Sequence, residues 1–365
     1  MSHVSRRHFI RLAGASLLLA KSPYLLAFDG KQPRKKLGIA LLGLGNYSTN
    51  LLAPALQHTE HCELRGIITG TPSKIPQWQR KHGIKDSNVY TYSTMDDIAN
   101  NEDIDVIYIV TPTGTHKDFA LKAANTGKHV WCEKPMAMDS DECQAIIDTC
   151  NKNGVQLSIG YRMQHEPNTR TFHQYLETKP YGKLKAVSSF AGYSGQGRSP
   201  DNWRMQKHMG GGALYDMGVY AINGARFLTG KEPLSVTSHH PPQRFPSKFT
   251  EVDETTLFTM DFGNGLIADC GTSVVQGFNH FKADCENGWY QLKPMQSYSG
   301  VTGTTSDGKV LAPIKGMQQT LQMDNDALAI LLNREPLVTG SEGLADIKIV
   351  NAIFDAAKTG KTVTI

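Results

Sequence analysis

Long apolar runs, paired cysteines and a strong excess of one charge are all missing from this sequence of 365 residues. A multi-span membrane protein is excluded because a spanning helix needs about 18 or more consecutive apolar residues. The six cysteines form no C-x-x-C pair and no cluster with metal-ligand spacing, so we expect mostly buried thiols and no metal site. The formal charge is only +4, and residues 1–27 account for all of it. The charge pattern therefore predicts no nucleic-acid binding.

The basic residues of the N-terminus form a pattern of their own. Arg6 and Arg7 stand together, two apolar residues follow shortly after, and a mildly apolar run occupies residues 12–20. This pattern is typical of a twin-arginine export signal, so we expect the export machinery to move the folded chain to the periplasm. We assign residues 1–36 to this signal and a linker or arm, since no clear cleavage site follows. A frayed basic terminus is the alternative.

A glycine-rich turn follows the first predicted strand, Leu37–Leu42, and precedes a predicted helix at residues 49–57. Gly43 permits the tight turn, and Gly45 lets the backbone approach a pyrophosphate at the helix N-terminus. Ser48 stands where glycine or alanine is usual, but it is small enough for close packing. The pattern G-x-G-x-x-S thus predicts a dinucleotide-binding turn, with a plain glycine turn as the alternative.

The end of the second predicted strand bears on the choice of dinucleotide. A site for NAD would place an acidic residue near this position, where it accepts hydrogen bonds from the ribose hydroxyls. The strand Glu63–Thr69 is followed by hydroxyl side chains and Lys74, with no acidic residue. A lysine and hydroxyls suit a 2′-phosphate, so we favour NADP over NAD. A solvated surface lysine is the alternative for Lys74.

Strands and helices then alternate as far as residue 161. This alternation predicts a parallel, doubly wound α/β sheet of the Rossmann type over residues 37–161. Ligands of such sheets bind outside the carboxyl ends of the strands, where the loops 111–116 and 133–135 also lie. The further strands predicted here are Val106–Thr111, His129–Cys132 and Val155–Gly160.

The order of the predicted elements changes in the second half of the chain, where strand-like segments follow one another with few intervening helices. We predict that residues 162–365 form an α+β domain with an open, mostly antiparallel sheet that serves substrate binding and oligomerisation. A turn signal at residues 263–265 predicts a hairpin. A helix is predicted at residues 213–228, and late helices at residues 324–332 and 342–358.

Five motifs along the chain resemble, in this order, those of the glucose–fructose oxidoreductase and inositol dehydrogenase family. They are G-L-G-N-Y, T-P-T-G-T-H, W-C-E-K-P-M-A, I-G-Y-R and G-G-G-A-L-Y-D-M-G-V-Y. The resemblance runs from Leu37 to the end of the chain and is strongest to the glucose–fructose and aldose oxidoreductase branch. It implies a homodimer or homotetramer, in which another subunit covers the open sheet.

The resemblance also implies roles for individual residues. Lys134 corresponds to the family's active-site lysine, Asp216 to its acidic residue and Tyr220 to its proton-transfer residue. Many dehydrogenases of the family carry histidine at this last position, so Tyr220 argues against a plain inositol dehydrogenase. The predicted cofactor-binding residues are Gly43, Gly45, Asn46, Tyr47, Thr69, Lys74, Tyr92, Thr111, Pro112, His116, Glu133 and Lys134. The predicted substrate-binding residues are Lys134, Arg162, Trp203, Arg204, Asp216 and Tyr220.

Oxidation of a sugar hydroxyl requires a base at the oxygen and a hydride acceptor at the carbon. Tyr220 lies four residues after Asp216, so a helix would turn both side chains to one face. We expect Tyr220 to be the general base, with Lys134 lowering its pKa and Asp216 balancing Lys134. A cis bond before Pro135 would aim Lys134 inward. The alternatives are a core tyrosine, a solvated lysine and a surface aspartate.

Three further candidates each have a structural alternative. Arg162 binds substrate or phosphate, or forms a structural salt bridge. His116 contacts the cofactor, or is a loop histidine with satisfied nitrogens. Trp203 and Arg204 border the sugar ring, or belong to the rim of the site.

Export combined with nucleotide binding predicts a cofactor that the enzyme retains, because no soluble pool outside the cytoplasm would recycle it. We therefore expect an aldose to be oxidised at C1 to a lactone, and the hydride on a tightly held NADPH to reduce a second sugar to an alditol. The alternatives are an exported NAD-dependent glycosidase and a non-catalytic protein that binds sugar or NADP.

Overall fold

The computed structural model describes residues 36–365. The predicted export signal and all but the last residue of its linker lie outside these residues. Within residues 36–365 no helix is both long and apolar enough to cross a bilayer. Five of the six cysteines are buried and Cys285 is half-buried, in agreement with the expected buried thiols.

The first half of the chain folds around a six-stranded sheet in which every neighbouring pair is parallel. The strand order is 3-2-1-4-5-6, so the direction of winding reverses between the first and fourth strands. All six residues of the first strand are buried, as expected where helices cover both faces. The strands are β1 (Leu37–Leu42), β2 (Cys62–Thr69), β3 (Val89–Thr91), β4 (Val106–Ile109), β5 (His129–Cys132) and β6 (Leu157–Ile159).

Helices follow most of these strands. After β1 a π-helical turn (Ser48–Leu52) continues into the short α-helix α1 (Ala53–Ala55). The Ser48 hydroxyl donates to the Gly43 carbonyl over 2.5 Å, so the off-pattern serine closes the glycine turn. Gly43 has φ +96°, and a Cβ there would lie 2.9 Å from the Val110 carbonyl oxygen, so only glycine fits. The next helices are α2 (Ile75–His82), α3 (His116–Asn125), α4 (Ser140–Lys152) and α5 (Pro167–Thr178).

The second half of the chain builds a nine-stranded open sheet of order 14-13-12-11-7-10-9-8-15. Every neighbouring pair whose register is resolved is antiparallel except the seventh and tenth strands, which pair in parallel. The strands are β7 (Leu184–Gly192), β8 (Ser235–His239), β9 (Thr255–Asp261), β10 (Ile267–Ser273), β11 (Asn279–Cys285), β12 (Gly288–Leu292), β13 (Gly303–Thr305), β14 (Val310–Leu311) and β15 (Val363–Thr364). The predicted fold class, a doubly wound α/β sheet followed by a mostly antiparallel one, is confirmed.

Three helices pack with this second sheet or return to the first. They are α6 (Val219–Thr229), α7 (Gln318–Leu331) and α8 (Gly340–Thr359). The single helix predicted at residues 213–228 is wrong in its first turns, because Leu214–Gly218 form a π-helical turn that precedes α6. This widened turn carries Asp216, and such turns are frequent at functional sites.

Candidate active site

Lys134 lies at the centre of a group of side chains where the first sheet meets α6. It follows β5, and the peptide bond between Lys134 and Pro135 is cis, as expected. Its Nζ donates to the backbone carbonyl of Asp216 over 2.8 Å and lies 4.6 Å from the centroid of the Tyr220 ring. Burial lowers the pKa of Lys134, and the nearby Asp216 carboxylate opposes this shift. Lys134, Asp216 and Tyr220 are therefore brought together.

The pKa of Tyr220 does not behave as the sequence suggested. We expected the cation of Lys134 to leave this pKa below its ordinary value, but burial outweighs the nearby cations and raises it, so the expectation of a lowered pKa is wrong. The cation that opposes the shift most is Arg162, whose guanidinium carbon lies 5.3 Å from the centroid of the Tyr220 ring. Lys134 Nζ also lies over this ring. At neutral pH Tyr220 is thus a neutral phenol, the form that donates a proton.

The carboxylate of Asp216 pairs with Arg204 more closely than with Lys134. Arg204 Nε lies 3.1 Å from Asp216 Oδ2, and the Arg204 guanidinium stacks 4.2 Å from the Trp203 ring centroid. The Tyr193 hydroxyl also donates to Asp216 Oδ2, over 3.4 Å. These side chains adjoin a cavity of about 220 Å³ that Tyr193, Arg204 and Asp216 line. The predicted substrate residues Trp203 and Arg204 therefore lie on one side of the catalytic group.

Arg162 lies behind this group and is almost completely buried. Its guanidinium carbon is 5.3 Å from the Tyr220 ring centroid and 4.6 Å from that of Tyr298. Its N–H groups donate to the carbonyls of Gln296 and Ser297 and to the Gln318 side chain. It forms no salt bridge among the described residues. Arg162 thus holds the loop that carries Tyr298 against Tyr220.

The turns expected to bind the cofactor lie together at the carboxyl ends of β1 and β2. A Cβ at Gly45 would meet no protein atom within 4 Å, so open space lies above this turn. Lys74 Nζ donates to the Leu44 carbonyl over 2.8 Å, which brings an ammonium from the second turn to the glycine turn. Thr69 is buried, and its Oγ1 accepts from the Thr71 N–H over 3.0 Å. Tyr92 closes over Gly70, where a Cβ would lie 2.5 Å from the tyrosine ring.

Asn46 and Tyr47 leave the glycine turn in different directions. The exposed Asn46 side chain accepts from Asn50 over 2.6 Å. The ring of Tyr47 lies 5.8 Å from that of Tyr298, so it faces the catalytic group. The open turn, the ammonium and the hydroxyls fit a dinucleotide that carries an additional phosphate. Gly45, Asn46, Thr69 and Lys74 would hold it.

His116 joins the two loops at the carboxyl ends of β4 and β5. Its Nδ1 lies 2.8 Å from the Pro135 carbonyl and its Nε2 2.8 Å from the Thr111 carbonyl. The Thr115 hydroxyl donates to the Thr111 hydroxyl over 2.8 Å and to the Pro112 carbonyl over 2.8 Å. His116 is buried and burial lowers its pKa, so the neutral ring donates to one of these two carbonyls, and the alternative of a structural loop histidine describes its position. It fixes the loop from which Lys134 projects.

The family to which these features belong is shown by comparison with known proteins. A family model described as an oxidoreductase family with an NAD-binding Rossmann fold matches residues 37–161. A second, described as the GFO/IDH/MocA C-terminal domain, matches residues 169–291. The chain belongs to the Gfo/Idh/MocA family. The resemblance inferred from the five motifs is thereby confirmed, and the protein is an oxidoreductase.

Several known proteins are similar to this chain over more than half of its length. The crystal structure of the aldose–aldose oxidoreductase from Caulobacter crescentus, complexed with glycerol, is 34% identical with a TM-score of 0.86 and covers 91% of this chain and 100% of that one. The D-xylose 1-dehydrogenase (NADP(+)) of Haloarcula marismortui is 25% identical over 342 residues, 89% of this chain and 92% of its own. Levoglucosan dehydrogenase of Pseudarthrobacter phenanthrenivorans is 31% identical over 241 residues, 59% of this chain and 60% of its own.

Sequence reasoning missed three tyrosines of this Gfo/Idh/MocA site. Tyr298 packs against Arg162 and Tyr47, Tyr193 contacts Asp216, and Tyr108 donates to Glu133 over 2.6 Å. Tyr298 and Tyr193 lie in loops without a family motif, so no signal pointed to them. Tyr108 could have been found, because it is a hydroxyl in the middle of an otherwise apolar strand.

Proposed function

We propose that this chain is an NADP-dependent sugar oxidoreductase that oxidises an aldose at C1 to a lactone and uses the retained hydride to reduce a second sugar to an alditol. The single observation that carries the proposal is the meeting of Lys134, Asp216 and Tyr220 at the same sheet edge as the Gly43–Gly45 turn and Lys74. The similarity to an aldose–aldose oxidoreductase and to an NADP(+)-dependent xylose dehydrogenase supports the substrate class and the cofactor.

The residues divide the work of the reaction. Bound NADP would supply the hydride chemistry of the reaction. Tyr220 exchanges the proton of the sugar hydroxyl: its neutral phenol protonates the oxygen during reduction, and its phenolate accepts the proton during oxidation. Lys134 and Arg162 place positive charge near this phenol and favour the phenolate. Arg204 and Asp216 offer a donor and an acceptor to neighbouring hydroxyls.

Substrate selection rests on the cavity beside Asp216. Its volume, about 220 Å³, suits a single sugar ring better than an oligosaccharide. The aromatic face of Trp203 lies next to Arg204 at the same side of the site. A pyranose or furanose ring stacks on such a face through its C–H groups, while its hydroxyls reach the charged pair.

The proposed cellular place follows from the N-terminal sequence. Arg6 and Arg7 favour export of the folded protein with its nucleotide, and the homo-oligomer would cover the open face of the second sheet. A chain that carries its own nucleotide needs a second sugar to reoxidise it, which is the reason for the two-substrate scheme.

The test begins with the nucleotide itself. Protein purified from its host is denatured and the released nucleotide is identified by mass spectrometry; NADP or NADPH is expected. Single sugars are then added to native protein while the absorbance of the reduced nicotinamide is followed. An aldose should reduce the bound nucleotide without added NADP, and a second sugar should reoxidise it. Cleavage of a nitrophenyl glycoside without net redox change would support the glycosidase instead, and binding without turnover the non-catalytic alternative.

A further inference from the structure

A chain of buried polar side chains leads from the catalytic group into α7. Tyr108 donates to Glu133 Oε1 over 2.6 Å, and Gln322 Nε2 donates to the Tyr108 hydroxyl over 2.9 Å. The next polar side chain is Asp326, one helical turn along α7, where burial raises the pKa of the carboxyl and the nearby Ser158 and Gln322 lower it. Glu133, Tyr108 and Gln322 are thus joined by hydrogen bonds, and the buried Asp326 lies beside the end of this series.

Both hydrogen bonds of this series donate in the direction of Glu133. Gln322 uses its amide N–H toward Tyr108, and its Oε1 has no donor among the described residues. Asp326 is 1% exposed, and neither of its oxygens has a hydrogen-bond partner by geometry. Burial raises the pKa of Asp326 to about 8, so it carries a proton at neutral pH. A protonated Asp326 can donate to Gln322, and every donation then points toward Glu133.

Glu133 accepts the last of these hydrogen bonds. Some of its surroundings raise its pKa and others lower it. Burial raises the pKa of Glu133 to about 7, while the Tyr108 hydroxyl, Lys134 and Arg162 lower it. The phenols of Tyr47 and Tyr220 face the same carboxyl from the glycine turn and from α6. The carboxyl occupies the space beside Gly160, where a Cβ would lie 2.6 Å from Glu133 Oε1, so the absence of a side chain at Gly160 makes room for it.

The position of Glu133 in the sheet relates it to the cofactor. It directly follows β5, which pairs with β4, and β4 pairs with β1 at the point where the winding direction reverses. Ligands of doubly wound sheets bind outside the carboxyl ends of the strands at that point. A positive charge bound there favours an ionised carboxylate at Glu133, and the loss of that charge favours the protonated carboxyl.

We propose that Glu133 gains a proton when the bound nicotinamide is reduced and loses it when the nicotinamide is oxidised, with Tyr108 and Gln322 as positioning residues. This inference rests on the proposed function. In sugar oxidation the C–H bond breaks and its electron pair leaves with the hydride, while the hydroxyl proton leaves separately. If Glu133 takes up one proton as the ring loses its positive charge, the half-reaction releases no net proton. Glu133 releases this proton again when the second sugar is reduced.

The proposed proton exchange at Glu133 can be tested without turnover, by measuring the binding of nucleotide to the full-length protein. After bound nucleotide has been removed, NADP⁺ and NADPH are titrated calorimetrically at pH 7 in two buffers that differ in ionisation enthalpy. The difference between buffers gives the number of protons exchanged. NADP⁺ should release about half a proton per site, because about half of the Glu133 carboxyls are protonated before binding. NADPH should take up about half a proton, so the two nucleotides should differ by about one proton.

Variants test whether Glu133 is the group that exchanges the proton. Glu133→Gln keeps an acceptor for Tyr108 and should abolish the difference between the two nucleotides. Tyr108→Phe removes a hydrogen bond that favours the carboxylate, so the pH of half-maximal proton release should rise. Glu335→Gln, at an exposed position, is the control with the same change of charge and should behave as the unchanged protein.

Two kinds of contrary result can be distinguished: one contradicts the role of Glu133, and the other contradicts the proposed function. Equal proton release with NADP⁺ and NADPH would overturn the inference, and so would a difference that persists in Glu133→Gln. Failure of the unchanged protein to bind either nucleotide would overturn the proposed function itself, which is a different and directly visible result.

Discussion

Lys134 Nζ lies 4.6 Å from the centroid of the Tyr220 ring, over its face and not at its hydroxyl. A cation in this position is attracted by the π-electrons of the ring, so it favours a more electron-rich phenolate. The guanidinium carbon of Arg162 lies 5.3 Å from the same centroid. Two cations therefore act on one phenol, and Lys134 keeps a hydrogen bond to the Asp216 carbonyl that fixes its position.

Tyr220→Phe should retain the nucleotide and lose most of the turnover. Removal of a positioned proton carrier costs about 10²- to 10⁴-fold in rate. Burial raises the pKa of Tyr220, so sugar oxidation by the unchanged protein should accelerate as the pH rises above neutral and more phenolate forms. The variant should lose this rise. Stopped-flow measurement of nicotinamide reduction from pH 6 to pH 9 provides the comparison, and a variant with the unchanged rate would show that another group carries the proton.

Lys74→Ala should weaken NADP binding much more than NAD binding. A hydrogen bond to a charged group contributes about 1.5–3 kcal/mol, which corresponds to about 10- to 100-fold in Kd. Calorimetric titration of both nucleotides into the nucleotide-free protein measures the ratio. Lys81→Ala, at an exposed position of α2, is the matched control. An equal loss for both nucleotides would place the 2′-phosphate elsewhere.

Arg204→Met should raise KM for the sugar by up to about tenfold and change kcat little. The Arg204 side chain is 34% exposed, so its pair with Asp216 is partly screened by solvent. The stem of methionine preserves much of the packing against Trp203. Steady-state kinetics with the preferred aldose separate the two parameters, and a loss confined to kcat would mean that Arg204 acts on the chemical step and not on binding. Arg80→Met, on the exposed surface of α2, is the control.

The strand-end edge of the first sheet could be predicted from the sequence because each part of it is local. An apolar run of six residues, a glycine turn and a parallel arrangement place Gly43, Lys74, His116 and Lys134 at one edge without any knowledge of distant contacts. The hairpin at residues 263–265 was predictable for the same reason, and Phe262 N–H donates to the Leu266 carbonyl there.

The parts that could not be predicted depend on contacts between distant residues. The helix Ile75–His82 contains a proline and mostly polar residues, and it buries only Trp78. The π-helical turn at Leu214–Gly218 has the same apolar spacing as an α-helix. Tyr298 reaches the site because Arg162, 136 positions earlier, holds its loop by the carbonyls of Gln296 and Ser297. The raised pKa of Tyr220 reflects burial, which the sequence pattern does not quantify.

The nucleotide-free protein should lose stability as the pH rises from 7 to 8. Asp326 carries a folded-state pKa of about 8 against about 3.9 in the unfolded chain, so the folded state binds more protons throughout this range. The stabilisation that this proton provides is complete at low pH and disappears as the pH passes through the folded-state value. Histidines with lowered pKa values oppose this loss only weakly, because in the unfolded chain each is about a quarter protonated at pH 7 and almost fully neutral at pH 8.

The expected loss from Asp326 alone is about 1 kcal/mol over this one pH unit. Asp326→Asn keeps the size and a donor for Gln322 but cannot ionise, so its unfolding free energy should vary less with pH. Urea unfolding of both proteins at pH 7 and pH 8, followed by tryptophan fluorescence, measures the difference. If the unchanged protein and Asp326→Asn lost the same amount, the buried carboxyl would already be ionised at pH 7, and the direction of donation from α7 toward Glu133 would have to be reversed.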